Sequence, residues 1–276
     1  MHSTYGGMQF VAGSILRNEA HGELFYRLEV SIPGPVEFTP GQFAMVSGWP
    51  GNDPLLPRPL AIFRSGIAPK GKFSVDFVYK VVGRGTALLS GMHPGESLSL
   101  TIPLGRGFDL KKGGRTYWLV GGGVGFSSVF PAAVALARNK AEFEMFLGGR
   151  TRRQLPPREL TPAGSSPGHI HLCTEDGTAG FHGRVTDAVR ERMASLSGDA
   201  ASRLTILACG PRDMLKELAR AAAERGTEMQ AALENHMACG FGVCWGCVVA
   251  LREGEGVAYR RVCKDGPVFD YREVVW

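Results

Sequence analysis

The chain has 276 residues, of which 44% are hydrophobic and 21% are charged, and its formal net charge is +5. This composition is typical of a soluble globular protein, and the length allows two or three compact domains. The positive residues are scattered rather than stacked on one helix face, and no apolar run approaches a membrane span, which argues against nucleic-acid binding and membrane insertion. Residues 1–7 lack a signal-peptide pattern, so we expect a cytoplasmic protein.

The N-terminal region is predicted to form short strands that are separated by glycine and proline turns. Apolar and polar residues alternate clearly in residues 73–80 and less regularly in the other candidates. The predicted strands cover residues 8–12, 24–30, 42–46 and 73–80, and another begins at Arg58. Several short strands of this kind predict a small antiparallel barrel.

The middle region changes to a strand–helix–strand rhythm. Predicted strands cover residues 116–120, 142–147, 169–173 and 204–208, and predicted helices cover 127–139, 184–193 and 212–225. This alternation predicts a mostly parallel sheet that is covered by helices. Residues 150–168 are rich in proline and are predicted to form a surface loop with a short helix, and a short strand pair is predicted at 248–251 and 257–262.

Four cysteines near the C-terminus form the most informative motif. Cys239, Cys244, Cys247 and Cys263 have the C-x4-C-x2-C…C spacing that holds a [2Fe–2S] cluster in plant-type ferredoxins. The intervening glycines permit the backbone angles and the close N–H approach to sulfur that a cluster loop needs. A structural zinc site is the alternative, although zinc sites usually combine Cys-x2-Cys knuckles.

Two glycine-containing junctions join predicted strands to predicted helices. Gly122, Gly123 and Gly125 belong to the first junction, where a backbone free of Cβ atoms can approach a diphosphate. Cys209 and Gly210 form the second, at the carboxyl edge of the sheet, where open α/β folds bind ligands. Ordinary tight turns remain the alternative at both junctions.

Two further sites carry groups that suit phosphate. Arg58 begins a strand after a proline-rich loop, and an arginine can bind phosphate with two hydrogen bonds, although an exposed arginine is often only solvated. Gly85 and Thr86 lie in a glycine turn before a helix, whose free N–H groups can take a diphosphate. The alternative is that Thr86 is simply the helix N-cap.

Taken together, these motifs resemble the ferredoxin–NADP reductase superfamily and, more closely, the electron-transfer subunits of dihydroorotate dehydrogenase type B. The matching segments are residues 58–60, 79–86, 103–108, 121–125, 147–150, 175–177, 209–211, the four cysteines and 263–269. The resemblance implies a multi-domain protein. An antiparallel FAD-binding β-barrel would cover residues 1–108, an α/β parallel-sheet NAD-binding domain 109–230, and a small [2Fe–2S] domain 231–276.

The resemblance also implies roles for individual residues. Arg58, Pro59, Leu60 and Ala61 would hold the flavin, Val78, Tyr79 and Lys80 would line it, and Gly85 and Thr86 would meet the FAD diphosphate. Gly122, Gly123, Gly125, Cys209 and Gly210 would face the nicotinamide nucleotide, with Cys209 as a candidate nicotinamide contact and no residue assigned a catalytic role. Cys239, Cys244, Cys247 and Cys263 would ligate the cluster.

The implied function is electron transfer in pyrimidine (UMP) biosynthesis. Electrons would pass from the FMN of a dihydroorotate dehydrogenase catalytic subunit, through the cluster and FAD, to NAD+ within a heterotetramer. The chain alone is not expected to oxidise dihydroorotate. One alternative is an NAD(P)H-linked subunit of a hydrogenase or an electron-bifurcating complex, and another is a zinc-stabilised binding module.

The chain departs from the family pattern at two positions, and its arginines leave the choice between NAD and NADP open. Ala61 stands where Ser or Thr is usual near the flavin, and His236 stands where arginine is usual near the cluster. Arg150, Arg152 and Arg153 follow a predicted strand where arginines can accept the 2′-phosphate of NADP. The resemblance instead favours NAD.

Overall fold

A computed structural model describes residues 7–49, 51, 53–110, 114–160 and 170–276. The N-terminal elements are β1 (Gln9–His21), β2 (Phe25–Ile32), β3 (Phe43–Ser47), β4 (Arg58–Ile67), β5 (Phe73–Lys80), α1 (Arg84–Ser90) and β6 (Ser97–Leu104). The six strands close into an antiparallel barrel in the order β1-β2-β5-β4-β3-β6. Its core is mostly aliphatic, with side chains from alternate positions such as Ile15, Val30 and Leu100, which are almost fully buried.

The second unit is a seven-stranded sheet with helices packed on it. Its elements are β7 (Thr116–Gly122), α2 (Phe126–Arg138), β8 (Phe143–Gly149), β9 (Ile170–Thr174), β10 (Phe181–His182), α3 (Val185–Ala194), α4 (Gly198–Arg203), β11 (Leu204–Cys209), α5 (Arg212–Arg225) and β12 (Glu228–Ala232). Strands β7 to β12 pair in parallel, so their carboxyl ends meet along one edge. This edge faces the cavities described below.

The C-terminal segment folds back onto that sheet. It contains β13 (Val248–Glu253), β14 (Gly256–Arg261), α6 (Val262–Asp265) and β15 (Val268–Asp270). β13 and β14 form a separate hairpin, whereas β15 pairs antiparallel with β12 and completes the order β10-β9-β8-β7-β11-β12-β15. The cysteine-rich loop therefore lies between two strands of the same sheet.

The predicted elements agree with most of the structure. The predicted strand 73–80 and helix 212–225 coincide with β5 and α5. Strand β1 continues nine residues beyond its predicted end, because it pairs with β2 as far as His21. The predictions missed the strands β6, β10, β12 and β15 and the helices α4 and α6. The predicted strand 169–173 corresponds to β9, but His169 and the rest of 161–169 lie outside the described residues. No helix in the described ranges is long and apolar enough to cross a membrane.

Aromatic side chains join the barrel to helix α2. The rings of Phe63 in β4 and Phe130 in α2 stack with centroids 4.1 Å apart, and those of Phe25 and Phe126 meet edge to face at 5.5 Å. The Arg64 guanidinium lies 5.0 Å from the Phe130 ring centroid, a cation–π distance. This buried contact fixes the barrel against the sheet and so positions the edge where the two units meet.

Replacing Phe63 with alanine is expected to destabilise this junction. The ring is 1% exposed, and removal of a buried phenylalanine typically costs about 3–5 kcal/mol. Phe10→Ala is the matched control because Phe10 is 67% exposed on β1, and its loss should change stability by about 0.5 kcal/mol or less. Thermal unfolding of both variants should show a lower midpoint for the first only, and equal midpoints would contradict the packing argument.

Candidate functional site

The first cavity lies between the barrel and the carboxyl edge of the sheet. It has a volume of about 310 Å³ and is called the barrel cavity here. Of the predicted flavin residues, the following line it: Arg58, Pro59, Leu60, Ala61, Val78, Tyr79, Lys80 and Thr86. Cys209 also lines this cavity, together with residues that the sequence analysis did not single out, namely Ser128, Glu234, Asn235, Met237 and Pro267.

Gly85 does not line the barrel cavity, because it lies behind Arg58. A Cβ atom on Gly85 would stand only 2.4 Å from the Arg58 Nε and 2.7 Å from its Cζ. The guanidinium also donates to the Leu56 carbonyl oxygen at 2.7 Å and lies 5.6 Å from the Trp49 ring centroid. Because Gly85 has no side chain, the Arg58 guanidinium has room to lie at the cavity wall.

Thr86 is not the N-cap of α1, which was the alternative considered for it. The helix begins at Arg84, so Thr86 is its third residue. Its hydroxyl accepts hydrogen bonds from the N–H groups of Val82 and Gly83 and donates to the Gly83 carbonyl at 2.9 Å. The hydroxyl therefore shapes the turn, while the first backbone N–H groups of α1 have no helical partner.

Tyr79 supports the cavity from behind. Its hydroxyl donates to Asn18 Oδ1 at 3.0 Å, and the Asn18 amide donates to the carbonyls of Leu89 and Met92 at 2.7 and 2.9 Å. Burial raises the pKa of Tyr79. This chain of contacts fixes the C-terminal end of α1, and the hydroxyl is committed to Asn18.

We expect Tyr79→Phe to reduce stability without changing flavin binding. The variant leaves Asn18 Oδ1 without its donor, which costs about 1–3 kcal/mol when the group is buried. Thermal unfolding should show the loss, whereas FAD affinity should remain within about twofold, because the hydroxyl is hydrogen-bonded to Asn18 and the ring that lines the cavity is retained. Tyr26→Phe is the control for the neighbouring stacked ring, which is 5.4 Å away. A large loss of FAD affinity in Tyr79→Phe would contradict this role.

The second cavity follows the carboxyl ends of β7, β8 and β9. It has a volume of about 570 Å³ and is called the nucleotide cavity here. Gly122 and Gly123 line it, but Gly125 and Gly210 do not. A Cβ atom on Gly125 would stand 2.4 Å from the Cys209 carbonyl oxygen, and one on Gly210 would stand 3.1 Å from the Gly122 Cα. These two glycines therefore bring the two junctions together instead of forming the wall.

Three residues, Lys80, Val124 and Glu234, line both cavities. Lys80 is half-buried, with its Nζ 4.6 Å from the Phe25 ring centroid, and burial lowers its pKa. Glu234 is accessible from both cavities. The surrounding protein nevertheless excludes much of the water from its carboxylate, and this desolvation raises the pKa of Glu234. The Cys209 Sγ lies 4.0 Å from Glu234 Oε1, and burial raises the pKa of that thiol to about 12. The two cavities therefore meet at a cation, a carboxylate and a buried thiol.

The four C-terminal cysteines occur as two adjacent pairs. Cys239 lies beside Cys244, and Cys263 lies beside Cys247, whose Sγ accepts from the Cys263 N–H at 3.4 Å. Within the described residues, no three His, Cys, Asp or Glu side chains are grouped closely enough for one ion. Two cysteine pairs are what a dinuclear cluster requires, because four thiolates are shared between two irons.

The loop around these cysteines directs N–H groups at sulfur. Burial alone would raise the pKa of Cys239, but hydrogen bonds from the N–H groups of Cys244, Phe241 and Val243 lower it to about 6. The Gly246 N–H approaches the Cys244 Sγ at 3.4 Å. Such hydrogen bonds favour thiolates, so the loop fits the cluster that the spacing predicts.

The loop is seated on the barrel and closed by an arginine. A Cβ atom on Gly240 would stand 2.2 Å from the Met45 Cγ in β3, so the backbone lies directly on the barrel. The Arg261 guanidinium donates to the Gly242 carbonyl at 2.9 Å and to Asp265 at 3.1 Å, and its Cζ lies 4.6 Å from the Trp245 ring centroid. Cys244 is exposed on the outer side, whereas Cys247 and Cys263 are buried.

Two family models match separate parts of the chain. Residues 119–220 match the oxidoreductase NAD-binding domain, and this range contains both glycine junctions. Residues 234–275 match the iron-sulfur cluster binding domain of dihydroorotate dehydrogenase B, and this range contains all four cysteines of the motif. The second match favours iron–sulfur over the zinc alternative.

The curated relatives cover almost the whole chain. The electron transfer subunit of dihydroorotate dehydrogenase B (NAD(+)) from Desulforamulus reducens is 32% identical over 253 residues, which are 91% of this chain and 92% of that protein. The subunit from Bacillus caldolyticus is 37% identical and covers 86% of each chain. A homolog of this subunit from Aquifex aeolicus is 34% identical and covers 95% of this chain and 96% of its own.

Solved structures show the same architecture. A structure of an NADH-dependent reduced ferredoxin-NADP oxidoreductase, studied for flavin-based electron bifurcation, superposes with a TM-score of 0.78 at 27% identity and covers 96% of this chain and 90% of its own. Phthalate dioxygenase reductase has a TM-score of 0.63 at 14% identity, covers 92% of this chain and 77% of its own, and shows likeness of fold alone.

These matches confirm the predicted fold class of an antiparallel barrel, a parallel-sheet NAD-binding domain and a C-terminal iron–sulfur domain. They also confirm the predicted cofactor set of FAD, a [2Fe–2S] cluster and NAD, and the prediction of an NAD-linked oxidoreductase subunit. The chain belongs to the family of electron transfer subunits of dihydroorotate dehydrogenase B.

Proposed function

We propose that this protein is the electron-transfer subunit of a type B dihydroorotate dehydrogenase that acts in cytoplasmic pyrimidine biosynthesis. Its partner would be an FMN-containing catalytic subunit, and the two would form a heterotetramer. Electrons from that FMN would reach NAD+ through the cluster and FAD of this chain. The observation that supports the proposal is that the barrel cavity, the nucleotide cavity and the cysteine loop adjoin one another. The two cavities share wall residues, and residues close to the cysteines line the barrel cavity.

That continuity is visible in the cavity walls. The barrel and nucleotide cavities share Lys80, Val124 and Glu234. The barrel cavity is also lined by Met237 and Pro267, which lie two residues before Cys239 and four after Cys263. A flavin in the barrel cavity would therefore adjoin the nucleotide on one side and the cluster loop on the other.

The division of labour follows from the chemistry of the groups. FAD exchanges single electrons and hydride, the cluster exchanges single electrons, and the nicotinamide exchanges hydride. In the proposed arrangement, Arg58 and the first N–H groups of α1 hold the FAD diphosphate, while Pro59, Leu60, Ala61 and Val78 form the apolar wall. Of the predicted nucleotide residues, Gly122 and Gly123 bind the nucleotide, and Gly125 and Gly210 act by close packing.

The cluster loop carries the surface proposed for the partner. Phe241, Val243 and Trp245 are 45%, 70% and 53% exposed around the exposed Cys244. An exposed group of large apolar side chains is typical of a protein–protein interface. Docking there would bring the outer cysteine pair, Cys239 and the exposed Cys244, next to the FMN subunit. That subunit supplies the dihydroorotate-oxidising activity that this chain is not expected to have alone.

One experiment tests the cofactor relay and the partner together. The purified chain should show flavin and iron–sulfur absorption that bleaches when NADH is added anaerobically. Co-expression with the FMN subunit should yield one complex with dihydroorotate:NAD+ activity, and the absence of such a complex would contradict the proposal. The likeness to a structure studied for electron bifurcation is the observation behind a second candidate, a subunit of an electron-bifurcating complex. This candidate predicts co-purification with another flavoprotein instead of the FMN subunit.

A further inference from the structure

The cysteine loop and the segment that carries the fourth cysteine meet at Gly242. This glycine lies between Cys239 and Cys244, whereas Cys263 lies in α6. A Cβ atom on Gly242 would stand 2.6 Å from the Lys264 Cδ, so the loop backbone lies directly against α6. The Gly242 N–H donates a hydrogen bond to the Cys263 Sγ. The loop of the outer cysteine pair therefore contacts a sulfur of the inner pair.

One guanidinium holds this glycine in place. Arg261 ends β14 two residues before Cys263, and its side chain is 20% exposed. Its Nη1 donates to the Gly242 carbonyl at 2.9 Å, and its Nε donates to Asp265 Oδ2 at 3.1 Å. The planar fork thus bonds a carboxylate of α6 and a carbonyl of the loop at the same time. The flexible head group of a lysine, with its single nitrogen, does not reproduce this geometry.

Trp245 is the second part of the loop that the guanidinium contacts. It lies between Cys244 and Cys247, and its φ of 57° is in the left-handed region, which is costly for a bulky residue. Its side chain is 53% exposed, so burial alone does not hold it. The Arg261 Cζ lies 4.6 Å from the ring centroid, which is a favourable cation–π distance. The same guanidinium therefore contacts the loop on both sides of Cys244.

We propose that Arg261 is a positioning residue for the iron–sulfur cluster, because it holds the loop of the outer cysteines against the inner pair. It keeps the Gly242 N–H directed at the Cys263 sulfur and keeps Trp245 in its left-handed conformation. Hydrogen bonds to thiolate sulfur favour the more negative, reduced state of a cluster, so this arrangement raises the reduction potential. The inference rests on the proposed cluster site and adds a residue that is not itself a ligand.

Arg260 provides a matched control. It carries the same charge one residue away, but successive side chains of a strand point to opposite faces, so Arg260 lies on the other face of β14. Its Nη2 donates to Glu253 at 2.8 Å within the β13–β14 hairpin. Arg260→Gln therefore removes one positive charge from the same strand without removing any of the contacts that Arg261 makes.

The first measurement follows the cluster instead of turnover. The FAD-loaded protein and its Arg261→Gln, Arg261→Lys and Arg260→Gln variants are incubated anaerobically with an iron chelator, and cluster absorption is recorded over time. We expect Arg261→Gln to lose its cluster about tenfold faster or more, because a charge-assisted hydrogen bond between the two cysteine pairs is lost. Arg261→Lys should also lose it faster, since this variant keeps the charge but not the fork. Arg260→Gln should keep the wild-type rate.

A redox titration followed by electron paramagnetic resonance separates positioning from a general loss of stability. The midpoint potential of the cluster should be lower in Arg261→Gln than in the wild type, because a hydrogen bond to sulfur is weakened and a nearby positive charge is removed. The potential should also fall in Arg261→Lys, since Gly242 is released although the charge remains. Arg260→Gln should keep the wild-type potential. Faster cluster loss with an unchanged potential would reduce Arg261 to a structural role and overturn the proposal.

The remaining outcomes are equally decisive. Unchanged behaviour in Arg261→Gln, an equal change in Arg260→Gln, or wild-type behaviour in Arg261→Lys would overturn the proposal. If Arg261→Gln takes up no cluster while its flavin absorption is normal and Arg260→Gln loads fully, the positioning role is supported. If Arg261→Gln does not fold, Arg261→Lys carries the same test. A wild-type protein that binds no cluster would instead contradict the proposed function, so the two failures are distinguishable.

Discussion

Cys244→Ser is expected to abolish electron transfer from the FMN subunit while leaving the NADH-to-flavin reaction in place. Cys244 is the exposed member of the outer cysteine pair, so its replacement perturbs the core least among the four cysteines. A serine hydroxyl is a much weaker iron ligand than a thiolate, because cluster irons prefer soft sulfur ligands. In the complex, dihydroorotate:NAD+ activity should fall by about hundredfold or more, since cluster ligands are essential for the transfer.

The control reaction separates this effect from misfolding. The same variant should continue to oxidise NADH with ferricyanide, because the barrel and nucleotide cavities do not include Cys244. Cys173→Ala removes a buried cysteine of β9 outside the motif and should keep both activities. Full dihydroorotate:NAD+ activity in Cys244→Ser would show that electrons do not pass through this loop.

Gly85→Ala is expected to weaken FAD binding by about thirtyfold or more, although Gly85 does not line the barrel cavity. The added methyl group would overlap the Arg58 Nε at 2.4 Å, so the guanidinium must leave its place at the cavity wall. Loss of a charge-assisted hydrogen bond to phosphate is worth about 1.5–3 kcal/mol, which corresponds to roughly ten- to more than a hundredfold in affinity. Equilibrium titration of the FAD-free protein with FAD measures this change.

Gly91→Ala, at the other end of α1, is the matched control. A Cβ atom there would have the Leu88 carbonyl oxygen as its nearest neighbour, at an ordinary 3.5 Å. The same chemical change directly after the last residue of this helix should therefore leave FAD affinity unchanged. Arg58→Ala should reproduce the loss seen in Gly85→Ala, and combining the two substitutions should add little, because both act through one guanidinium. Additive losses would mean that Gly85 acts on FAD by another route.

The limits of sequence interpretation are visible in particular elements. β5 and α5 were predicted to the residue because one alternates regularly and the other lies between Pro211 and Gly226, which is in the left-handed conformation at φ 63°. β6 was missed although its buried and accessible residues alternate throughout, so its signal was available. β15 has only three residues, and its strand conformation depends on pairing with β12, so no local pattern could predict it.

The cofactor sites show the same division between local and distant information. The cysteine spacing and the glycine junctions are local patterns, so the sequence alone suggested a chemistry for each, with ordinary tight turns as the alternative at the glycine junctions. Glu234 borders both cavities but belongs to no motif, because its position depends on how β12 meets the barrel. Likewise, the packing of Gly85 behind Arg58 joins residues 27 positions apart, and only the closed barrel brings them together.

The return of β15 into the sheet has a consequence for how the protein is made. During synthesis the barrel and β7 to β12 emerge first, but the outer edge of β12 stays unpaired until the cysteine loop and the residues after it have left the ribosome. An open strand edge is prone to pairing with other chains. Completion of the nucleotide-binding sheet therefore depends on correct folding of the cysteine loop. A chain in which this loop fails to fold would expose the unpaired edge of β12 and be open to removal by cellular quality control.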